Sequence, residues 1–480
     1  MPVDINQLRA EKGGDPEIVR ASELKRCRDG KIVDEVIALD EEWRKMRYAY
    51  EEKKQEFNKI NKEIAKRRKE SKGQDKCEEE QAQSKTLKAE IKTSEEELLK
   101  LEADRTEKIG KIGNIVHESV IAEKDEDHNA VVQSWGEVEE RKIDGTPGNM
   151  HHHEIMRCLD IFETNPRGNK VAGHRGYFLK GAGVLLNQAL INYSLSFLTG
   201  KDYTPLQPPF FMKRDLMHQT CELSDFEENL YSMEGGEYYL IATSEQPISA
   251  LHAGEWLKES QLPIKYAGIS SCFRKEAGAH GRDMWGIFRV HQFEKVEQFV
   301  ICKPEDSWRI HDEMIGAAQE FYQGLEIPYR TVSIVGGALN DAAAKKYDLE
   351  AWFPGYGEFR ELVSCSNCTD FQSRAMDIKF GTKKKSELDQ SNFTHLLNST
   401  LTATERTLCC ILENYQTEEG LKIPKVLQPF MGGKEFIPFN EEALKEHLEE
   451  REAEAKKAEE KAAKEAAKAA KKAAKAAAKK

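Results

Sequence analysis

Apolar residues recur at every seventh position from Val36 to Ile64, and no other feature of the sequence restricts the fold as strongly. The repeat comprises Val36, Trp43, Tyr50, Phe57 and Ile64, with Leu39, Met46 and Ile60 at the interleaved positions. An a/d pattern of this length predicts a helix that packs along a second helix. The pattern is interrupted by the polar segment 71–75 and resumes from Leu87 to Ile109. We therefore predict two long helices that form an antiparallel coiled-coil hairpin.

The composition of the 480 residues argues against a membrane protein. Hydrophobic residues make up 39% of the chain and charged residues 32%, and no apolar run reaches the length of about 18 residues that a membrane-spanning helix needs. The start of the sequence resembles neither a secretory signal nor an organellar targeting peptide, so we expect a cytoplasmic protein. The 10 cysteines have no framework spacing, which is typical of reduced thiols. Cys365 and Cys368 form a lone CxxC pair, and we expect no zinc there.

Changes in composition divide the chain into four predicted segments. Residues 1–125 form the coiled-coil domain, residues 126–172 a linker, residues 173–445 a mixed domain and residues 446–480 an Ala/Lys-rich tail. In the mixed domain, helical stretches such as Gly181–Leu198 and Ser307–Gly324 alternate with strand-like runs. The strand-like runs are Glu237–Ala242, Tyr266–Phe273, Gly286–Phe293, Glu297–Ile301 and Phe359–Ser364. The predicted fold class is α+β, with an antiparallel β-sheet flanked by helices.

The tail differs in charge from the rest of the chain. The whole sequence has a net charge of −12, whereas Lys461–Lys480 contains eight lysines and one acid, Glu465. Its Ala/Lys/Glu composition favours a helix that has no apolar face to bury. Two interpretations remain open, a solvated tail and a non-specific tether for polyanions.

The sequence around Arg274 has a pattern that suits a nucleotide site. Ser271-Cys-Phe-Arg-Lys-Glu276 places an arginine and an acid two residues apart, and a charged, Gly-rich loop leads to Gly286-Ile-Phe-Arg-Val-His-Gln-Phe293. On a strand, residues two apart lie on the same face. A buried, salt-bridged hairpin fits this pattern. A nucleotide site fits it as well, because a guanidinium can bind a phosphate while a carboxylate accepts from an adenine amino group and an aromatic ring stacks on the base.

These two segments resemble motif 2 of the class II aminoacyl-tRNA synthetases, and the chain from Val3 to about Pro438 is similar to the seryl-tRNA synthetases of the eukaryotic cytosol. Motif 1 corresponds to Gly176–Gly181 with a long helix after it, ending in Tyr203–Phe211. Motif 3 corresponds to Leu397–Arg406, and the segments specific to seryl enzymes to Ala242–Pro247 and Glu361–Asp370. The resemblance implies a class II catalytic domain with serine–tRNA ligase activity. The implied substrates are L-serine, ATP and tRNA(Ser), with tRNA(Sec) in addition where that tRNA exists.

The resemblance also implies roles for individual residues. Arg274 and Arg406 are the implied catalytic residues, Arg274 at the serine carboxylate and α-phosphate and Arg406 at the γ-phosphate of a bent ATP. The implied serine-binding residues are Thr243, Ser244, Glu245, Arg274, Glu297, Asn398 and Thr400. The implied ATP-binding residues are Arg274, Lys275, Glu276, Arg289, Val290, Phe293, Glu361, Leu362, Val363, Ser364 and Arg406. Glu361 and Ser364 are also implied to hold the Mg²⁺ that binds with ATP.

The coiled coil and motif 1 acquire implied partners in the same way. The coiled coil is implied to bind tRNA through its backbone and shape, with the contacts made by Lys59, Lys62, Lys66, Arg67, Arg68 and Lys69. In the family, motif 1 forms the interface of a homodimer, and the residue at the position of Pro209 reaches towards the other protomer's active site. No general base is required, because a serine carboxylate is already a nucleophile that needs only positioning and charge stabilisation at the α-phosphorus.

The chain departs from the family pattern in the motif 2 loop. It has Asp283-Met-Trp-Gly286 where many members have Asp-Thr-Arg-Gly. The change puts one phosphate contact with tRNA in doubt, and Trp285 either stacks on a terminal base or packs within the protein. The alternative to an active ligase is a catalytically inactive paralogue that binds RNA. Retention of the implied catalytic and serine-binding residues favours the active enzyme.

Overall fold

The computed structural model describes residues 3–220, 229–276, 285–381 and 392–477. Contacts within the chain divide it into two compact units. The first unit comprises Met1–Asn129, Ile334–Lys345 and Asp370–Asp377, and the second comprises Ala130–Ser333, Lys346–Thr369 and Ile378–Lys480. The first unit is therefore built from three separate stretches of sequence, although the heptad pattern lies in one of them.

The described chain alternates helices with short and long strands. The helices are α1 (Pro16–Lys25), α2 (Lys31–Glu70), α3 (Glu78–Ile109), α4 (His152–Cys158), α5 (Arg167–Ala172), α6 (Ala182–Thr199), α7 (Arg214–Met217), α8 (Glu245–Ala250), α9 (Ser307–Gly324), α10 (Phe371–Met376), α11 (Thr404–Tyr415) and α12 (Glu441–Ala477). The strands are β1 (Ala130–Trp135), β2 (Phe162–Glu163), β3 (Phe178–Leu179), β4 (Thr204–Leu206), β5 (Phe211–Lys213), β6 (Tyr238–Leu240), β7 (Trp256–Leu257), β8 (Ile264–Phe273), β9 (Gln292–Cys302), β10 (Tyr329–Ser333), β11 (Lys345–Phe353), β12 (Glu358–Asn367), β13 (Lys379–Phe380), β14 (His395–Ala403), β15 (Gly420–Lys422) and β16 (Phe436–Pro438). None of the described helices is both long and apolar enough to cross a membrane.

Helices α2 and α3 form the antiparallel hairpin that the heptad repeat predicts. α2 has 40 residues and α3 has 32. Side-chain contacts run in opposite directions along the two helices, because Ser84 bonds to Asn61 at 3.0 Å while Ser94 bonds to Lys53 at 3.3 Å. The repeat positions Val36, Tyr50 and Ile64 are buried in the seam. The coiled-coil prediction is confirmed.

Asp40 forms a buried ionic cluster where the hairpin joins the rest of the first unit. Its carboxylate accepts hydrogen bonds from Arg9 (Nη2, 2.7 Å) and Arg105 (Nη1, 2.8 Å), and Nε of Arg44 lies 3.2 Å away. The guanidinium of Arg105 also lies 4.2 Å from the ring centroid of Trp43. Desolvation alone would raise the pKa of Asp40, but the bonds and charges of Arg9 and Arg105 lower it overall.

Arg26 ties the segment Ile334–Lys345 to the N-terminal stretch of the first unit. Its side chain is buried, and its guanidinium donates to the carbonyl oxygens of Asn114 (2.9 Å), Asn340 (2.9 Å) and Ala343 (2.7 Å). Backbone carbonyls thus satisfy a buried positive charge that would otherwise be costly.

An eight-stranded sheet forms the centre of the second unit, in the order β1–β10–β11–β12–β14–β9–β8–β4. β8 pairs with β9, β9 with β14 and β14 with β12 in antiparallel fashion, whereas β4 runs parallel to β8 at the edge. Helices α6, α9 and α11 pack against these strands and bury the largest apolar core of the protein. The predicted α+β class, with a mostly antiparallel sheet flanked by helices, is confirmed.

The predicted strand Gly286–Phe293 is wrong over most of its length, because β9 begins at Gln292. Gly286 has a φ of +58°, and a Cβ there would lie 2.9 Å from the His152 ring. Phe288 and Val290 are both buried in the irregular segment that follows. Apolar residues occur at these positions because the irregular segment is buried. Their alternation in the sequence does not distinguish such a segment from a strand.

Residues 126–172, which the sequence analysis assigns to a linker, contain α4, α5, β1 and β2. β1 pairs with β10 at the edge of the large sheet, with Ala130 opposite Ser333. Val131 and Val132 on this strand are both exposed. An edge strand that buries so little apolar surface lacks the alternation by which strands are recognised in a sequence.

Helix α12 begins at Glu441, before the start of the predicted tail, and its first turns pack on the second unit. His447 is buried and donates from Nε2 to the carbonyl oxygen of Gly145 at 2.9 Å, and Arg157 pairs with Glu450 at 2.5 Å. From Glu452 to Glu465 the side chains are exposed. The tail helix therefore has no buried face from Glu452 to Glu465, as its composition predicts, whereas His447 and Glu450 at its start contact the second unit.

Candidate active site

A cleft in the second unit brings together most of the residues that the resemblance assigns to nucleotide binding. It lies where β8 ends, where β9, β12 and β14 run side by side, and where α11 begins. The lining residues are Arg274, Glu276, Phe288, Arg289, Val290, Phe293, Lys295, Glu361, Leu362, Thr400, Ala403, Glu405 and Arg406. Phe288, Lys295, Ala403 and Glu405 have no role in the sequence analysis. The four cations of the lining outnumber its three glutamates, which favours a polyanion.

Arg274, Glu276 and Phe293 lie together at the end of the β8–β9 hairpin. The guanidinium of Arg274 lies 5.4 Å from the ring centroid of Phe293, and its Nε donates to the carbonyl oxygen of Ala242 at 3.3 Å. Nη1 of Arg289 donates to Oε2 of Glu276 at 2.7 Å. β8 ends at Phe273 and Glu276 has a φ of +49°, so the prediction that Arg274 and Glu276 lie on one face of a strand is wrong. Both residues nevertheless line the cleft, as expected for a nucleotide site.

Arg406 lies in the first turn of α11 and faces the same cleft. Its Nη1 donates to the carbonyl oxygen of Glu361 at 3.2 Å and lies 3.6 Å from the carboxylate Oε2 of that residue. Its guanidinium also lies 5.0 Å from the ring centroid of Phe288, which is buried. Phe288 therefore supports Arg406 through a cation–π contact that sequence reasoning missed. The sequence pattern does not reveal this contact, because it predicts a strand at Gly286–Phe293 and most of that segment is irregular.

The residues assigned to serine binding form a hydrogen-bonded group centred on Glu297. Oε2 of Glu297 accepts from the hydroxyls of Thr243 (2.5 Å) and Ser244 (2.6 Å) and from the backbone N–H of Glu245 (3.0 Å). Thr400 lies directly opposite Glu297 in the β9–β14 register. In addition, Nδ2 of Asn398 donates to Oε1 of Glu245 at 3.0 Å. The structure thus brings Thr243, Ser244, Glu245, Glu297, Asn398 and Thr400 together from β9, β14 and the start of α8.

Lys295 is the missed residue with the closest contact to this group. Its Nζ lies 2.6 Å from Oε1 of Glu297, and both side chains are buried. Burial alone would raise the pKa of Glu297, but the Lys295 charge and the hydroxyl donors lower it, so Glu297 is ionised. The signal was available in the sequence, because Lys295-Val-Glu297 places opposite charges two apart on a strand.

Glu361, Ser364 and Asp348 place three oxygen-bearing side chains on the neighbouring strands β11 and β12. The Ser364 hydroxyl hydrogen-bonds to Asp348, and Lys346 lies 3.3 Å from the Asp348 carboxylate. Burial raises the pKa of Asp348 to about 7, and the charge of Glu361 adds to the effect while Lys346 opposes it. Desolvation would also raise the pKa of Glu361, but Arg406 and Lys346 lower it overall. Asp348 was not predicted, because it lies on β11 and its role depends on the pairing of that strand with β12.

Two further residues assigned to ATP, Val363 and Lys275, do not line the cleft. Val363 is fully buried in the apolar core, while Leu362 lines the cleft. The backbone N–H of Lys275 donates to the carbonyl oxygen of Asn229 at 3.0 Å. Val290 is buried and lines the cleft.

Trp285 packs against histidines at the start of α4. Its ring lies 5.1 Å from that of His151 and 4.9 Å from that of His153, and its carbonyl oxygen accepts from Nε2 of His152 at 3.1 Å. Nδ1 of His152 lies 2.7 Å from Glu413 of α11. These contacts support the interpretation that Trp285 packs within the protein. The rest of the motif 2 loop, 277–284, lies outside the described residues.

The cationic residues assigned to tRNA lie in the distal half of α2. Lys59, Lys62, Lys66, Arg68 and Lys69 are exposed. Arg67 differs from them, because its guanidinium pairs with Asp75 at 3.0 Å and also with Glu80 across the turn of the hairpin. These contacts give Arg67 a structural role at the hairpin tip.

Comparison with known proteins agrees with this geometry. Residues 226–415 match the model of the tRNA synthetase class II core domain (G, H, P, S and T), and residues 3–116 match that of the seryl-tRNA synthetase N-terminal domain. The serine–tRNA ligase of Helianthus annuus is 54% identical over 448 residues, which cover 91% of this chain and 98% of that protein.

Two solved structures extend the comparison to the fold. The cytoplasmic serine–tRNA ligase of Naegleria fowleri in complex with AMP is 50% identical with a TM-score of 0.80, covering 91% of this chain and 99% of that chain. The seryl-tRNA synthetase of Pyrococcus horikoshii complexed with ATP is 39% identical with a TM-score of 0.82, covering 92% and 100%.

The antiparallel sheet and its arginine-rich cleft are those of a class II aminoacyl-tRNA synthetase, an enzyme class with ATP-dependent chemistry. Within that class, the coiled-coil hairpin and the extent of sequence identity are decisive. The chain belongs to the seryl-tRNA synthetase family, and its activity is that of a serine–tRNA ligase.

Proposed function

We propose that the cleft activates L-serine with ATP and that the chain then transfers serine to the 3′ end of tRNA(Ser), and of tRNA(Sec) where that tRNA exists. The observation that supports this most directly is the adjacency of two groups of side chains. One group, around Arg274 and Arg406, suits a triphosphate, and the other, around Glu297, suits an amino acid with a hydroxyl. Lys295 belongs to both, because it lines the cleft and pairs with Glu297.

In the first step, an oxygen of the serine carboxylate attacks the α-phosphorus of ATP. The new bond joins that oxygen to phosphorus, the bond from phosphorus to the α–β bridging oxygen breaks, and pyrophosphate leaves. Arg274 binds the serine carboxylate and α-phosphate, Arg406 binds the γ-phosphate, and Glu276 and Phe293 hold the adenine. Charge developing at the α-phosphorus is stabilised by donors that are already in position.

Magnesium fits the oxygen ligands beside the cleft. Mg²⁺ prefers hard oxygen donors, and Glu361, Ser364 and Asp348 offer three of them. Oδ1 of Asp348 is buried without a hydrogen-bond partner among the described residues, as expected for a donor that awaits a cation. We assign Glu361 and Ser364 as the ligands, with Asp348 behind them. When bound, the ion would neutralise charge on the triphosphate.

In the second step, a hydroxyl of the terminal ribose of tRNA attacks the carbonyl carbon of seryl-adenylate, and AMP leaves. The exposed lysines of α2 support binding of a nucleic acid backbone, because they form a cationic row in the half of the helix that is farthest from Asp40. Arg67 acts by holding the hairpin tip through Asp75 and Glu80.

We further propose a homodimer in the cytoplasm. Phe178, Val184 and Leu185 at β3 and the start of α6 are 42–50% exposed, and such neighbouring apolar side chains suit a protein interface. Phe178 lies in the segment Gly176–Gly181 that resembles motif 1, Val184 and Leu185 lie in the helix that follows it, and Pro209 is also exposed. The cytoplasmic location rests on the similar protein of Naegleria fowleri, which is described as cytoplasmic.

The test is to measure both half-reactions of the purified chain. Serine-dependent exchange of label between pyrophosphate and ATP reports the first step, and charging of tRNA(Ser) reports the second. We expect both to proceed with serine, whereas alanine should be activated ~10⁴-fold less well because it leaves the polar groups around Glu297 unpaired. Exchange that does not depend on serine would refute the assignment of the cleft.

A further inference from the structure

Glu405 differs from the other acidic residues of the cleft, because it forms no ion pair with a described residue. Glu276 is 2.7 Å from Arg289, and Glu361 is 3.6 Å from Arg406. Glu405 is 5% exposed, and its Oε2 has no hydrogen-bond partner among the described residues. A buried oxygen without a partner is uncommon in a folded protein and calls for an explanation.

The surroundings of Glu405 contain both charged and neutral groups. Arg406 on the same helix, Arg274 beyond the end of β8 and Lys295 on β9 act on it through their charges. The uncharged groups on which its charge would act are Tyr177, Tyr322 and Cys409. Burial outweighs the three cations and raises the pKa of Glu405 to about 8. Near neutral pH the carboxyl is therefore mostly uncharged.

We infer that Glu405 is a further determinant of ATP binding, whose side chain must be a neutral carboxylic acid when the triphosphate occupies the cleft. The inference rests on the proposed ATP-binding role of this cleft. A carboxylate beneath the phosphates would repel them and would compete for Arg274, Arg406 and Lys295, which lie around it. A neutral acid leaves those three cations to the polyanion.

Binding of ATP should change the number of protons bound to Glu405 in a definite direction. Negative charge brought into the cleft disfavours ionisation of Glu405, so binding of ATP must be accompanied by proton uptake at pH values near 8. A group that is half ionised in the free protein takes up about half a proton per nucleotide when it becomes fully protonated. As the pH rises above 8, the KM for ATP should increase, by about tenfold between pH 7 and pH 9.

The primary experiment is calorimetry on the full-length wild-type chain with a non-hydrolysable ATP analogue and Mg²⁺ at pH 8. Binding heats in two buffers with different ionisation enthalpies give the number of protons taken up. We expect about half a proton for the wild type and close to none for Glu405→Gln, whose amide remains neutral at every pH. The wild-type measurement alone can overturn the inference, since analogue binding without proton uptake contradicts it whether or not the variant folds.

Asp348→Asn is the matched control, because Asp348 is the other acidic residue near the cleft with a raised pKa. Proton uptake at pH 8 should persist in this variant, and its KM for ATP should still rise with pH, whereas the KM of Glu405→Gln should change less than about twofold. Uptake that is lost in Asp348→Asn but kept in Glu405→Gln would assign the proton to Asp348 and overturn the inference. If the wild type fails to bind the analogue at all, the proposed function of the cleft fails instead, so the two failures are distinguishable.

Discussion

Nζ of Lys295 lies 2.6 Å from Oε1 of Glu297, two residues further along β9, and the other oxygen of that carboxylate accepts from the hydroxyls of Thr243 and Ser244. Both oxygens of Glu297 are therefore held in position, and the carboxylate is ionised, before any substrate is present. A carboxylate that is oriented in this way binds a ligand without further ordering of its side chain. Lys295 lines the cleft, and its partner Glu297 belongs to the residues assigned to serine, so the pair links the two groups.

Replacing Glu297 should impair serine activation specifically. We expect Glu297→Ala to lower kcat/KM for serine by ~10²–10³-fold, because it removes the group that orients Thr243, Ser244 and the backbone N–H of Glu245. The KM for ATP should change little. Glu350→Ala is the control, since Glu350 pairs with Arg330 on β10 at 2.5 Å and does not line the cleft. Normal serine kinetics in Glu297→Ala would show that the serine site lies elsewhere.

Arg274 and Arg406, which both line the cleft, should each be needed for adenylate formation. Arg274→Ala and Arg406→Ala should each reduce the rate of serine-dependent ATP–pyrophosphate exchange by ~10²–10³-fold, the effect of losing one donor to a charged transition state. Arg330→Ala provides the control for loss of an arginine on the same sheet. If exchange in both variants stayed near the wild-type rate, an inactive paralogue with a different ligand would again be tenable.

Shortening the hairpin should separate the two half-reactions. Glu35 pairs with Lys108 and Val36 packs in the same core as Ile109, so a cut at this level would damage the first unit. Replacing residues 54–93 with a short Gly/Ser linker leaves those contacts in place. Exchange should persist, because every residue assigned to it lies in the second unit, while charging of tRNA(Ser) should collapse. Unchanged charging would disprove the role of the hairpin in tRNA recognition.

Exposed lysines and Arg67 should respond differently to substitution. Changing Lys62, Lys66, Arg68 and Lys69 to Ala should weaken tRNA binding and lower the slope of log affinity against log salt by ~0.7–0.9 for each lost phosphate contact. Arg67→Ala should chiefly loosen the hairpin tip, because it breaks the pairs with Asp75 and Glu80. Affinity measured at several salt concentrations tests the first expectation, and hydrogen exchange of the tip amides tests the second. An unaltered salt slope in the lysine variant would exclude these phosphate contacts.

Loss of the Asp40 cluster should destabilise the first unit in a pH-dependent way. The folded-state pKa of Asp40 is lowered, so its contribution is present above the unfolded pKa of about 3.9 and is lost as the pH falls through the folded value. At pH 7, Asp40→Asn should cost about 3 kcal/mol, because Arg9 and Arg105 lose their buried partner. Unfolding followed by circular dichroism should show the difference from the wild type shrinking below about pH 4. A constant difference at all pH values would contradict this assignment.

Periodicity and resemblance predict different parts of this molecule. The coiled coil follows from its heptads, since a seam repeated over many turns is little affected by distant contacts. The cleft residues follow from resemblance to the family, since they come from segments that are far apart in sequence and meet only in the sheet. Phe288 escaped prediction, because its role depends on Arg406 as a neighbour in space, whereas Lys295 could have been recognised from its position two residues before Glu297. Edge strand β1 escaped because its exposed valines carry no alternating signal.

The carbonyl oxygens that surround Arg26 have a consequence for biosynthesis. Two of them belong to Asn340 and Ala343, which a ribosome adds more than two hundred residues after it has finished the stretch that ends at Asn129. At roughly 5–20 residues per second, the N-terminal stretch must wait about 10–40 s for these partners. During that interval the hairpin can form from its own heptads, whereas the guanidinium of Arg26 has the carbonyl oxygen of Asn114 and must bind water in place of the other two. The nascent chain therefore completes its first unit only after much of its second has emerged.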